Sequence, residues 1–285
     1  MSPNILQAYL SGSHYRYGYS NDVARVYFPD RPHRIDLRLE EQLLTKALFS
    51  PPEIVNEAAR CFYLLQAVGM NVSDNHLEIW NSGEDDFWAS SQVKNVPRTT
   101  QHVVALGIGA SDENRKYPIP LLTDVIKELL SKESIHFFVI GGKDEETDGR
   151  ILASISPEHI TNFAGKVSLT KSIALLSHCT LYLGNDTGMM HAAAAAGVPI
   201  IVIAREAADR INVIPGLFGE LARFAPWKVP YIVIRPQHQL GECQKHIVYG
   251  GCMSPHAHCI AQIPPKAVVQ AYHTMLEHLH QTSVI

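Results

Sequence analysis

The segment GNDTGMMHAAAAAGVP, residues 184–199, gathers residue types with a chemical use. The apolar run TLYLGN ends at Asp186, Thr187 and Gly188, and a helix-forming stretch follows at once. The first backbone N–H groups of a helix lack internal partners. The helix dipole adds positive potential there, so the junction suits a phosphate. Gly188 lets a ligand come close to the backbone. His191 lies in the first turn, within reach of the same anion. Asp186 is wrong for a phosphate and right for accepting hydrogen bonds from sugar hydroxyls. The pattern suits an anionic ligand that also carries hydroxyls, such as a nucleotide sugar. By spacing alone, the same residues also describe a plain strand–turn–helix with an Asp N-cap and a satisfied His.

Other junctions have the same character. In VVALGIGASDENRKYP a strand-like run ends in glycines, and Ser111, Arg115 and Lys116 precede a helix at Pro118. Cations there would meet a diphosphate. FVIGGKDEE offers Gly141 and Gly142, with acids beyond. FAGKVSL puts Val167 and Ser168 where an adenine or uracil ring could lie. Four ligand-capable loops on one edge carry more weight than any one of them.

The elements that must position these loops follow from the periodicity. HVVALGIG, IHFFVIGG, TLYLGND and VPIIVIA are apolar throughout, and they alternate with helical patterns such as IPLLTDVIKELLSK, SLTKSIALLSHC (with Ser168 as N-cap) and TGMMHAAAAAG. Strands of that kind imply a parallel sheet covered on both faces, a doubly wound Rossmann-like α/β domain. Ligands of such sheets bind beyond the C-terminal strand ends, where all four loops would fall. Earlier in the chain, HYRYGYSNDVARVYF and NHLEIWNSGEDDFW read as strand-bearing. RLEEQLLTKALFSPPEIVNEAARCFYLLQAVGM reads as helices broken at Pro51-Pro52. SSQVKNVPRTTQ reads as a linker, which places a domain boundary near residue 98. PPKAVVQAYHTMLEHLHQ is a helix opened by proline.

Composition narrows the classes. The chain has 285 residues, 46% hydrophobic and 18% charged, enough for a large buried core. A net charge of −4 gives no electrostatic case for nucleic acid. No apolar run approaches a membrane span, and the N-terminal residues lack the basic-then-apolar order of a signal peptide. A cytoplasmic location is the default. Five cysteines, an odd number, point to reduced thiols and not to a disulfide framework.

The junctions together resemble glycosyltransferase family 9, the bacterial heptosyltransferase family with the GT-B fold. Asp186, Thr187, Gly188, His191 and AAAAAGVP match the family's Asp-Ser/Thr-Gly, two residues, His, alanine-rich helix and Gly-Val-Pro. GASDENRKYP resembles its Gly-Ala-Ser segment followed by Lys-x-Trp-Pro. Ser111 stands at the hydroxyl position, Arg115 where Lys is usual and Tyr117 where Trp is usual. AGKVSLTKSIALLSHCTLYLGND follows the family pattern too, so the resemblance is strong over residues 102–203. It implies a nucleotide-diphosphate sugar donor such as ADP-heptose. It also implies transfer with inversion to a lipopolysaccharide-type or other glycan or lipid-linked acceptor. No cofactor and no essential metal are implied, and no Asp-x-Asp pair sits at a ligand edge. Asp186 would hold donor hydroxyls. Ser111, Arg115, Thr187, Gly188 and His191 would hold the diphosphate. A lipid-linked acceptor would make the protein peripheral to the inner membrane.

Two departures bear on these implications. After VPIIVIA the family often continues with a Phe-Gly-Pro-Thr-like turn, and here REAADRINVIPGLFGELARFAPWKVPYIVIRP stands instead. SGSHYRYGYS resembles a segment from the middle of the family's N-terminal domain. The expectation is a GT-B-like protein with a complete C-terminal donor-binding domain, residues 98–285, and a partial acceptor-side Rossmann-like domain, residues 1–97. The family's base is an acid on an early loop. No base is assigned here, and Asp22 and Asp30 are substitutes whose plainer reading is solvated loop acids. Missing strands would leave an open sheet edge, so self-association or poor solubility, with weak or no transfer, is expected. A nucleotide-sugar-binding remnant without catalysis is the alternative. A nicotinamide-dependent dehydrogenase ranks below both, because GIGASDEN carries only the first two glycines of the dinucleotide fingerprint. Cys243, His246, Cys252, His256, His258 and Cys259 cluster in CQKHIVYGGCMSPHAHC. Zinc and a loop of free thiols are both open there, since the paired Cys-x-x-Cys spacing is absent.

Overall fold

The computed structural model describes residues 3–19, 42–48, 51, 53–210, 220–240, 254 and 256–282. It divides into two compact units. Among the described residues, the smaller holds those up to Asn75 together with Ala222–Ala225, and the larger holds most of the rest, from His76 onward.

The smaller unit contains helix α1 (Pro3–Leu10), strands β1 (Tyr17–Tyr19) and β2 (Lys46–Leu48), and helix α2 (Glu57–Ala67). β1 and β2 pair in parallel. The strand at Lys46–Leu48 falls where the sequence pattern suggested helix: a three-residue strand is too short to show a period of its own. Asn56 starts α2 by accepting from Ala58 N at 2.9 Å. The Glu57 carboxylate then accepts from Arg223 Nε at 2.7 Å and lies 3.5 Å from Arg60.

The larger unit opens with α3 (Gly83–Lys94). This helix replaces the strand expected over NHLEIWNSGEDDFW and takes in the start of the expected linker. Ser82 caps it, accepting from Asp85 N at 3.1 Å, and Glu84, Asp85 and Asp86 in the first turn match the helix dipole. The Trp88 ring meets Phe163 edge-on at 5.4 Å and lies under the Lys171 ammonium at 5.3 Å. These contacts tie α3 to the larger unit, so the units divide after Asn75 and not at residue 98.

The remaining elements alternate: β3 (His102–Gly107), α4 (Ile119–Lys132), β4 (Ile135–Ile140), α5 (Glu146–Ala153), β5 (Ile160–Asn162), α6 (Leu169–Leu176), β6 (Leu181–Asn185), α7 (Gly188–Ala195), β7 (Ile200–Ile203), β8 (Tyr231–Ile234) and α8 (Pro265–Thr282). The sheet order is β5-β4-β3-β6-β7-β8, every pairing parallel. The chain winds outward from β3 through β4 and β5, then returns to lay β6 on the other side of β3. That makes the gap between β3 and β6 the topological switch point, where open α/β sheets bind ligands.

Alternation along the strands feeds two cores. Val104, Leu106, Phe137, Leu183 and Ile201 face α4 and α8, which contribute Val125, Ile126, Val268 and Tyr272. Ala105, Phe138, Tyr182 and Val202 face α6 and α7, where Leu175, Met190, Ala193 and Ala194 pack. The alanines of α7 bring its backbone close to the sheet, and Gly197 (φ +74°) reverses the chain after it.

Candidate functional site

β6 delivers its last residue, Asn185, to the switch point 2% exposed. Its Oδ1 accepts from Tyr117 N at 3.0 Å. Its Nδ2 donates to the carbonyls of Ile108 at 3.0 Å and Gly109 at 3.3 Å. One amide thus ties the end of β6 to the loop after β3 and to the start of α4. The sequence reading passed over it, because one Asn before an Asp carries no periodic signal.

The next residue, Asp186, meets Arg115 from the loop after β3. The guanidinium donates to Asp186 Oδ2 at 3.0 Å and to its backbone carbonyl at 3.2 Å. Thr187 caps α7 in an extended conformation, and its side chain makes no capping bond to the helix amides. A Cβ built on Gly188 would meet nothing within 4 Å, so the approach to those amides is open. His191 sits one turn on. Burial holds its pKa below the ordinary value against the opposing pull of Asp186.

A cavity of about 500 Å³ lies beyond the strand ends, and Ser111, Gly142, Glu145, Val167, Thr187 and Gly188 are among its walls. Four of the nine residues anticipated from sequence therefore share one cavity: Ser111, Val167, Thr187 and Gly188. Arg115 and Asp186 pair with each other. Lys116 Nζ lies 2.6 Å from Glu113 Oε1 and 2.8 Å from Glu145 Oε1. Burial opposes its charge, and the hydrogen bonds it donates to the two carboxylates outweigh that, raising its pKa. The Ser168 hydroxyl caps α6, accepting from Lys171 N at 3.2 Å, as the sequence suggested.

Glu145, 5% exposed, was not singled out among the acids of GGKDEE. Its Oε2 accepts from Gly142 N at 2.8 Å and so shapes the loop after β4. Nearby, Arg205 from the turn after β7 donates to Asn114 Oδ1, and Asn114 Nδ2 donates to the Ser254 carbonyl at 2.7 Å. Asp22 and Asp30 lie outside the described residues, as do Cys243, His246 and Cys252. Among the described residues no group of three or more His, Cys, Asp or Glu is placed to hold a metal ion. Cys259 Sγ is 3.3 Å from His258 Nδ1. No described helix is long and apolar enough to cross a membrane.

An all-parallel sheet wound outward from a switch point, with a helix N-terminus, a carboxylate and a guanidinium gathered there, defines a Rossmann-like α/β domain of the GT-B kind. Residues 47–208 match the family described as glycosyltransferase family 9 (heptosyltransferase), more than half of the chain, and the chain belongs to that family. It is 30% identical over 82 residues to lipooligosaccharide heptosyltransferase 2 of Haemophilus influenzae, covering 27% of this chain and 24% of that one. It is 29% identical over 93 residues to lipopolysaccharide heptosyltransferase 2 of Escherichia coli, covering 31% and 26%. The matched stretches thus span about a quarter of these relatives' length. Among solved structures, ADP-heptose lps heptosyltransferase II of E. coli superposes with a TM-score of 0.64 at 15% identity, covering 97% of this chain and 74% of that one. A family 9 glycosyl transferase from Veillonella parvula gives 0.64 at 19% identity, covering 85% and 65%. Heptosyltransferase WaaC of E. coli, solved with ADP, gives 0.52 at 14% identity, covering 83% and 62%.

Proposed function

We propose that the chain is a glycosyltransferase that holds a nucleotide-diphosphate sugar, ADP-heptose or a close analogue, at the β3–β6 switch point and transfers the sugar to a lipopolysaccharide-type glycan or lipid-linked acceptor. The observation that carries this reading is the junction after β6. There the open amides of α7, the Thr187 and Gly188 wall of the cavity and the Arg115–Asp186 pair converge. The diphosphate lies against the α7 amides with Ser111 and Arg115. Asp186 accepts from the sugar hydroxyls, and the base lies along the Val167 wall. His191 reaches the diphosphate as a hydrogen-bond partner. An acceptor hydroxyl attacks the anomeric carbon from the face opposite the diphosphate: the new C–O bond forms as the bond to the nucleoside diphosphate breaks, the anomeric configuration inverts, and the hydroxyl proton passes to a base to which no residue is assigned. The charge developing on the leaving group meets preorganised amides and a guanidinium, which stabilise it as it forms. Family membership and the ADP-bound neighbour support the donor class.

Calorimetry with ADP- and UDP-sugars on the full chain tests the reading. Asp186→Ala and His191→Ala are each expected to weaken binding of the preferred nucleotide sugar by about 1–3 kcal/mol, the loss of a hydrogen bond to a charged group. Unchanged affinity in both variants would overturn it.

A further inference from the structure

Ser172 lies one turn into α6, on the face that packs against the sheet, and is only 6% exposed. Its neighbours on that face are Ala174, Leu175 and Leu176. Its amide follows the helix and donates to the Ser168 carbonyl at 3.0 Å. Its hydroxyl has no hydrogen-bond partner among the described residues. Nor is that oxygen sealed in, as the unpartnered Asn162 Nδ2 and Tyr272 Oη are. Ser172 is part of the cavity wall, and the hydroxyl opens there. Serine forms helix less well than alanine, and buried polar groups are nearly always paired. An unpaired hydroxyl at this position is thus a cost to the fold that a ligand would offset.

The walls around it say which part of a ligand. Val167 and Ile173 beside it, and Met189 and Ala192 from α7 on the same face of the sheet, are apolar. The α7 amides mark the phosphate end, after β6. Val167 follows β5, three strand spacings away in the order β5-β4-β3-β6, about 14 Å. An extended nucleoside diphosphate covers that span, with its base at the apolar end and the outer edge of the base turned away from the phosphates. We propose that Ser172 is a specificity-determining residue whose hydroxyl meets the exocyclic group on that edge, accepting from the amino group where the base is adenine. This inference rests on the donor-site reading above and adds to it the residue that reads the base.

The test pairs Ser172→Ala with a trimmed ligand. Calorimetry on the full chain, wild type and variant, uses ADP and purine riboside 5′-diphosphate, which is ADP without its amino group. Wild type should prefer ADP by about two- to tenfold, the range of one neutral hydrogen bond. Ser172→Ala should lose that factor for ADP and bind the two ligands equally. Its melting temperature should hold or rise, because alanine is the better helix former and no protein group loses a partner. A serine that served the fold alone would lower the melting temperature and leave ADP affinity unchanged. Wild-type ADP affinity in Ser172→Ala, or a preference for ADP that survives the substitution undiminished, would overturn the inference. Failure of the wild type itself to bind ADP would instead overturn the donor-site reading.

Discussion

Replacing Asn185 by Asp removes one donor group from the centre of the switch point. The carboxylate keeps the bond from Tyr117 N but loses both donations, to Ile108 O and Gly109 O, at about 1 kcal/mol each. It also sets a negative charge against two carbonyl oxygens at a position 2% exposed. The folded variant therefore retains a proton well above the reference value of about 3.9 that applies in the unfolded chain. While protonated, the side chain donates one bond again, so the cost in mild acid is about 1 kcal/mol. As pH rises past the unfolded value, the unfolded chain releases its proton first. Stability then falls by up to about 1.4 kcal/mol per pH unit until the folded carboxyl also ionises. Two such units bring the total to about 4 kcal/mol. For a unit of this size that corresponds to a melting difference from wild type of about 3 °C in mild acid and about 10 °C at mildly alkaline pH. Thermal melts of wild type and Asn185→Asp, followed by circular dichroism across that range, read the difference directly. A gap that stays constant with pH would mean that Nδ2 faces water and that the bridge between β3 and β6 does not exist.

The remaining predictions concern the core of the same unit. Burial, with His159 adding to it, pushes the pKa of His136 down to about 4, so between about pH 6.5 and 4 the unfolded chain takes up a proton that the folded one refuses. Acidification through that window should cost up to about 3 kcal/mol, and His136→Gln should remove that part of the acid sensitivity. Identical acid slopes in urea melts would refute it. Gly107→Ala should cost about 3 kcal/mol or more, because its methyl would meet the Tyr182 ring. Combined with Tyr182→Ala it should cost less than the two single changes added, and strict additivity in denaturant midpoints would count against the clash.

The sequence by itself determined the parallel α/β class and the strand end and helix start that meet at the junction after β6. Each of these is written locally. The strands are apolar on both faces because both are covered, and Asp186, Thr187, Gly188 and His191 are neighbours along the chain whose placement follows from one strand end and one helix start. Ser168 was legible as a cap for the same reason. Where the signal was short or mixed, the reading failed. Lys46–Leu48 is too brief to show a strand period, and the acidic first turn and Ser82 cap that start α3 were hidden under the apolar look of IWNSGEDDFW.

The partners that complete the site came only from the tertiary structure. Arg115 and Asp186 are 71 residues apart, Asn185 and Tyr117 are 68 apart, and only the parallel laying of β6 beside β3 brings each pair within hydrogen-bond reach. The same crossing decides which carboxylate each of the two cations meets. Arg115 turns to Asp186, while Lys116, its neighbour in sequence, turns to Glu113 and Glu145. The glycines at 107 and 184 looked like loop and strand-end residues in the sequence, and only the sheet shows that they make room for the Tyr182 phenol. Local preference fixes the period of an element and its ends. Long-range pairing fixes which buried polar group meets which, because a donor far along the chain carries no mark of its acceptor until the strands are side by side.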